Sequence, residues 1–220
     1  MAEQLIFDLP RRTSMSRGDF FVSGANAAAV ALMDSPDTWP NGRLVLAGPK
    51  GCGKSHLAHV WHAVTGAPIV VANALEAADI PALAEHPFVV IEDVDTLSPI
   101  GQTQAFHLLN LMMASGGKVM ITARAAPAKM TIALKDLASR LQASGVAEMD
   151  DPDDALLAQV LLKLFADRQI HPQPNLIQWL LLRLERSFAA ASDAVDRLDQ
   201  EALKRGQNVN RALARDVLDH

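Results

Sequence analysis

Residues 48–55 read Gly48-Pro49-Lys50-Gly51-Cys52-Gly53-Lys54-Ser55, a full match to the pattern GxxxxGK[ST]. The chemistry that needs this spacing is the cradling of phosphate. Gly48, Gly51 and Gly53 free the backbone so that successive N–H groups converge on phosphate oxygens, and Cys52 is small enough to sit inside such a loop. A helix that begins where the loop ends turns its positive end toward the same oxygens. Lys54 then reaches the β- and γ-phosphates, and the Ser55 hydroxyl takes a position on Mg²⁺. The flanks agree with this reading. RLVLA (residues 43–47) is strand-like and HLAHVWHAV (residues 56–64) is helix-like. The sequence thus predicts a P-loop that holds ADP or ATP with Mg²⁺.

Outward from the loop, apolar runs predict strands at residues 43–47, 68–72, 88–91, 118–122 and 145–148. Helical segments are expected between them at 53–64, 74–84, 102–114 and 134–142. FFVSGANAAAVALM, upstream, leads into an Ala-rich helix. Strands alternating with helices imply a parallel sheet covered on both faces. The runs LVLAG, IVVA, FVVIE and VMIT are apolar nearly throughout, as central strands buried on both sides are. After DDPDD (residues 150–154) no strand pattern remains, and helices are expected at 153–168, 175–188, 189–205 and about 209–218. The predicted fold class is α/β, a P-loop NTPase with a parallel five-stranded sheet and a small all-α lid. The divisions are an arm at 1–20, an α/β nucleotide-binding domain at 21–149 and a helical lid at 150–220.

Bulk properties narrow the function classes. Of 220 residues, half are hydrophobic and a fifth charged, with a formal net charge of −5. That balance argues against strong direct DNA binding, which needs clustered Lys and Arg. The single cysteine, Cys52, rules out an internal disulfide and fits a reducing compartment. The N-terminus MAEQLIFDLPRR lacks the basic start and apolar run of a secretory signal. The longest apolar stretches are broken by Gln159, Lys163, Gln178 and Arg183, short of the ~20 residues that cross a bilayer. The expectation is a soluble, cytoplasmic protein without a membrane partner.

FVVIEDVD (residues 88–95) sets Glu92 and Asp93 at the carboxyl end of an apolar strand, the edge where open parallel sheets bind ligands. The spacing suits Glu92 for the hydrated metal and Asp93 for orienting an attacking water. His56, His59 and His62 recur at i, i+3 and i+6, but no cysteine or carboxylate cluster completes a metal site, so packing or polar support is expected. Trp39, Trp61 and Trp179 are too dispersed for a base-stacking platform. Met112, Met113, Met120 and Met130 read as core gap-fillers.

FFVSGAN, followed by LVLAGPKGCGKSHLAH, resembles the AAA+ module of DnaA, the bacterial replication initiator. In that family an FxxGxxN segment contributes to the adenine pocket. Phe21, Gly24 and Asn26 read FxxGxN, with the asparagine one position early. GKSHLAH is similar to the family's GKTHLLH, which brings His56 into the nucleotide site. VMITARAAP resembles the sensor-1 strand, implying that role for Thr122. LKDLASRL (residues 134–141) resembles the box carrying an arginine finger, here Arg140. Laying the lid sequence ERSFAAASDAVDRLD on the family pattern puts Ala189 at the sensor-2 position, with Arg186 one turn earlier. Together with the reversed Glu92–Asp93 order, this implies slow turnover of the chain's own nucleotide.

The arm adds a second resemblance. Gln4, Leu5, Phe7 and Leu9 form a pattern similar to peptides that bind the DNA polymerase sliding clamp. DnaA carries a DNA-binding domain after its AAA+ module, for which this sequence shows no room. A clamp peptide joined to a bare module is the arrangement of DnaA-related regulators that inactivate DnaA by stimulating hydrolysis of DnaA-bound ATP. The implied partners are the clamp, through residues 4–9, and DnaA, through a face that includes Arg140; a homo-oligomer is also compatible. The alternative from another class is a self-sufficient ATPase acting as a helicase loader or as a DNA or protein remodeller.

Overall fold

The computed structural model describes residues 21–219. Its centre is a parallel sheet in the order β2-β3-β4-β1-β5. The strands are β1 (Arg43–Ala47), β2 (Ile69–Val71), β3 (Phe88–Glu92), β4 (Lys118–Ala123) and β5 (Gly145–Glu148). β1 lies between β4 and β5, with Leu46 opposite Thr122 and Leu44 opposite Gly145. All five β1 residues are buried, which is why RLVLA shows no polar alternation.

Two apolar layers sandwich the sheet. On one face Leu44, Leu46, Val90 and Met120 pack with α1 (Ala27–Met33) and α2 (Lys54–Thr65) around Trp39 and Trp61. Those rings lie 5.3 Å apart, and Phe88 meets Trp61 edge-on. On the other face Val45, Val89, Ile91, Val119 and Ile121 pack with α3 (Ile80–Ala84), α4 (Pro99–Ser115) and α5 (Lys135–Gln142). Alternate residues of each strand serve opposite layers, as the pleat requires.

The lid is built from α6 (Asp154–Ala166), α7 (Pro174–Leu181), α8 (Phe188–Arg205) and α9 (Arg211–Leu218). It has its own core, with Leu157, Leu161, Phe165, Leu180, Val195 and Leu198 at its centre. Its helix starts carry local signals. Asp153, Ser187 and Asn210 each accept a hydrogen bond from the backbone N–H three residues on, at 2.7, 3.0 and 3.0 Å.

The expected five strands all form, close to their expected bounds. Two helices differ. Residues 74–84 do not form one helix. Ala72–Ala77 is a 3₁₀ segment, Ala78 is extended, and α3 starts afresh at Ile80. Pro81 and the Asp79 cap, whose carboxylate accepts from Ala82 N at 3.1 Å, both favour a new helix start there. The helix expected at 175–188 stops at Leu181, because Ser187 caps the next helix and the chain between must turn.

Candidate functional site

The loop after β1 turns at the carboxyl edge of the sheet. Gly48 is pinned there by its N–H to Ala123 O at 3.2 Å. A Cβ on Gly48 would fall 2.3 Å from the Met149 carbonyl oxygen, so only glycine lets the loop pass the end of β5. Gly53 closes the loop at φ +103° and caps α2. Lys54 is buried, and its Nζ donates to Gly48 O and Pro49 O, both at 2.7 Å. The ammonium therefore stands over the loop carbonyls, inside the ring of residues that the motif assigns to phosphate. Ser55 is exposed in the first turn of α2, and His56 is half-buried beside it. Burial pushes the Cys52 thiol up, against the pull of the Lys54 charge, so Cys52 is a filler rather than a thiolate nucleophile.

β3 delivers Glu92 and Asp93 to the same edge. Glu92 lies on the face that carries Val90, the α2 side. It is 7% exposed, and its Oε1 has no hydrogen-bond partner. A buried carboxylate oxygen without a donor is what a hydrated divalent cation would satisfy, and Ser55 adds a hydroxyl of the right kind. Asp93 adopts a left-handed conformation, φ 57°, which turns its exposed side chain away from the strand direction. That turn is held by Thr122, whose Oγ1 accepts the Asp93 N–H at 3.0 Å. Thr122 is thus joined to the acidic pair rather than isolated on β4. Asp95, one turn further, accepts from Arg124 N at 3.1 Å and ties the ends of β3 and β4.

The segment before α1 is held at the exit of β5. Asn26 is buried, and both ends of its amide are used: Oδ1 accepts from Ser23 N at 2.9 Å and Nδ2 donates to Phe21 O at 3.0 Å. It shapes the FVSG turn, while Gly24 is exposed with open space around it. Ala25 O accepts from Asp150 N at 3.3 Å, anchoring the turn to the exit of β5.

Arg140 is elsewhere. It lies in the last turn of α5, which leads into the amino end of β5. The P-loop leaves the opposite end of β1, five residues away along a neighbouring strand, or roughly 16 Å at 3.3 Å per residue. Arg140 therefore does not share a site with Lys54. The remaining candidates keep their modest roles. His59 Nδ1 meets Ser55 O and His62 Nδ1 meets Ala67 O, each at 2.7 Å. No group of three His, Cys, Asp or Glu suited to a metal occurs among the described residues. Gln4, Leu5, Phe7 and Leu9 lie outside the described residues.

Motif reading did not find the lid contact. Ser187 and Phe188 sit directly on the P-loop, with Phe188 N donating to Gly51 O at 3.0 Å. The expected helix over 175–188 put Ser187 inside a helix, so neither its cap nor its docking was anticipated. Arg186, just before that cap, is exposed and pairs with Asp154 at 2.9 Å, and Ala189 is exposed in the first turn of α8.

Sheet order, loop and lid together define an α/β P-loop NTPase fold of the AAA+ kind. The particular relationship is to DnaA. Over 230 residues the chain is 29% identical to the chromosomal replication initiator protein DnaA of Caulobacter sp. (strain K31), covering 90% of this chain and 47% of that one. Its fold matches domain III of the Thermotoga maritima replication initiation protein DnaA with a TM-score of 0.79 at 18% identity, covering 96% of this chain and 98% of that one. It also matches the AMPPCP-bound DnaA of Aquifex aeolicus, with a TM-score of 0.70 at 15% identity, over 91% of this chain and 71% of that one. No family model matches the chain. The chain spans less than half the length of the curated relatives it matches. It is homologous to DnaA and has the fold of DnaA's AAA+ domain. No helix among the described residues is long and apolar enough to cross a membrane.

Proposed function

We propose that this chain is a DnaA-related nucleotide-binding regulator of replication initiation, of the type represented by Hda. It binds ADP or ATP through Gly48–Ser55, with Mg²⁺ held by Ser55 and Glu92, docks on the sliding clamp through Gln4, Leu5, Phe7 and Leu9, and stimulates hydrolysis of DnaA-bound ATP with Arg140. Mg²⁺ would supply charge neutralisation at the phosphates. Lys54 and the loop N–H groups bind the same oxygens, Thr122 fixes the Asp93 backbone, and the lid residues Ser187 and Phe188 cover the loop.

The observation that carries the reading is the placement of Arg140. It stands at the sheet edge opposite its own P-loop, half-buried, with Nη1 3.4 Å from Met113 Sδ and no carboxylate bonded to it among the described residues. An arginine so placed is useless to the chain's own phosphates and available to a neighbour's. Supplied in trans, a guanidinium on the γ-phosphate is worth about 10³–10⁵ in rate. The test follows radiolabelled ATP on DnaA, with clamp loaded on DNA, in the presence of wild-type chain and Arg140→Ala. Undiminished conversion to ADP with the variant would overturn the trans mechanism. Appreciable turnover by the isolated chain, stimulated by DNA or cargo, would favour a self-sufficient ATPase instead.

A further inference from the structure

Arg43 opens β1 at the foot of the sheet. Its side chain leaves on the face that carries Val45, the layer that also holds Leu137 and Leu141 of α5. The residue is 2% exposed, yet among the described residues its Nε and Nη1 have no hydrogen-bond partner and no carboxylate pairs with it. A guanidinium remains charged when buried, and an unpaired charge in such a place is strongly destabilising. Packing alone does not explain it, since a methionine would fill the same space without a charge.

The group nearest in kind is Arg140, adjacent in sequence to the buried Leu141. The Arg140 guanidinium meets the soft Met113 sulfur at 3.4 Å, and its backbone carbonyl accepts from Ser144 Oγ at 3.0 Å. Arg124, Arg168, Arg183, Arg186, Arg197 and Arg205 each reach a carboxylate. Among the described arginines without one, Arg211 and Arg215 are exposed on α9, whereas Arg43 is buried and Arg140 half-buried. Leu44 pairs with Gly145, and Ser144 just before it is bonded to Arg140 O, so Arg43 and the end of α5 meet at the same end of the sheet. Burial first, and then the charge of Arg140, push the Arg43 guanidinium below its usual range. Two like charges thus share the foot of the sheet in a chain whose net charge is −5.

We propose that Arg43 is the positioning residue for Arg140: its fixed, buried charge keeps the Arg140 guanidinium turned outward, and the pair forms a receptor for a phosphate presented by a neighbouring nucleotide-bound subunit. The proposal rests on the trans reading above and adds to it a second arginine that the motif does not contain. Arg43 acts by repulsion and by its field on the incoming anion. It need not touch the phosphate.

The experiment compares Arg43→Met, Arg43→Lys, Arg140→Ala and the double variant Arg43→Met/Arg140→Ala in the DnaA-bound ATP assay, with melting curves for each. Arg43→Met should melt at or above the wild-type temperature, because an unpaired buried charge is gone. Its maximal stimulation should nevertheless fall by about tenfold to a hundredfold, the scale of an angstrom-sized misplacement. The concentration giving half-maximal stimulation should move little. Arg43→Lys, which keeps the charge, should retain most of the effect, and it also reports if the methionine variant does not fold. The double variant should be no worse than Arg140→Ala, since Arg43 works through Arg140. Full stimulation by Arg43→Met while Arg140→Ala is inactive would overturn this proposal and leave the trans reading standing. Loss in Arg43→Met that follows a lowered melting temperature, or equal loss in Arg43→Lys, would also overturn it. Full activity in both Arg43→Met and Arg140→Ala would bring down the trans reading itself.

Discussion

The ring of Phe188 stands against the backbone of Gly53: a Cβ on that glycine would lie 2.4 Å from Phe188 Cε2. The first residue of the long lid helix is thereby seated on the last glycine of the phosphate loop, and Gly53 also needs φ +103° to begin α2. Gly53→Ala meets both obstacles, backbone strain and a collision. The expected result is a loss of about 1–3 kcal/mol in stability together with loss of nucleotide binding. Urea unfolding and calorimetry check the two effects, and wild-type values in both would show that loop and lid give way freely.

Lys54 is bonded to two carbonyls of its own loop. Lys54→Ala removes the ammonium that would balance the β- and γ-phosphates and leaves those carbonyls without its donor. ADP and ATP binding should disappear in calorimetry while the circular dichroism spectrum stays that of the folded chain, because the cores of the sheet do not include this side chain. Unchanged affinity would mean that the loop is not the nucleotide site.

For Arg140 the expected outcome is a separation of two properties. Arg140→Ala should leave the chain's own nucleotide affinity and melting temperature nearly unchanged, since the residue lies at the opposite edge of the sheet from Lys54. It should remove most of the accelerated hydrolysis on DnaA, on the order of 10³-fold or more. Arg140→Lys should restore little, because a point charge does not reproduce the planar fork of donors. Equal loss of nucleotide affinity in the alanine variant would tie Arg140 to its own fold instead.

Replacing Gln4, Leu5, Phe7 and Leu9 together by alanine should abolish clamp binding in surface plasmon resonance. Apolar anchors with a hydrogen-bonding glutamine dock in a partner's pocket, and their truncation removes the buried contacts. Nucleotide affinity should stay the same, because the P-loop contacts lie among residues 48–55, 123, 149 and 187–188. A quadruple variant that holds the clamp as tightly as wild type would sink the tether.

Much of this fold is local enough to be read from the chain. GPKGCGKS carries its phosphate chemistry in the backbone freedom of its glycines, and the apolar runs announce strands buried on both faces. Glu92 and Asp93 were legible because a strand that ends in carboxylates can only present them at its carboxyl edge. Failures followed the same logic in reverse. Residues 74–84 have a helical composition, but the Asp79 cap and Pro81 start a new helix there, and the two short segments pack separately on α4. Tertiary structure alone decided the contacts between residues far apart in sequence. These are Thr122 holding the turn at Asp93, Ala25 joined to Asp150, and Phe188 resting on Gly53. Arg43 is the clearest case. In RLVLA it reads as an ordinary charged residue at the start of a strand, and nothing in its neighbours says otherwise. Only when β1 is inserted between β4 and β5, with α5 ending at the amino end of β5, does that charge become buried, without a partner among the described residues, and set at the same end of the sheet as Arg140. Burial and pairing are properties of the assembled layers, so no local pattern of residues contains them.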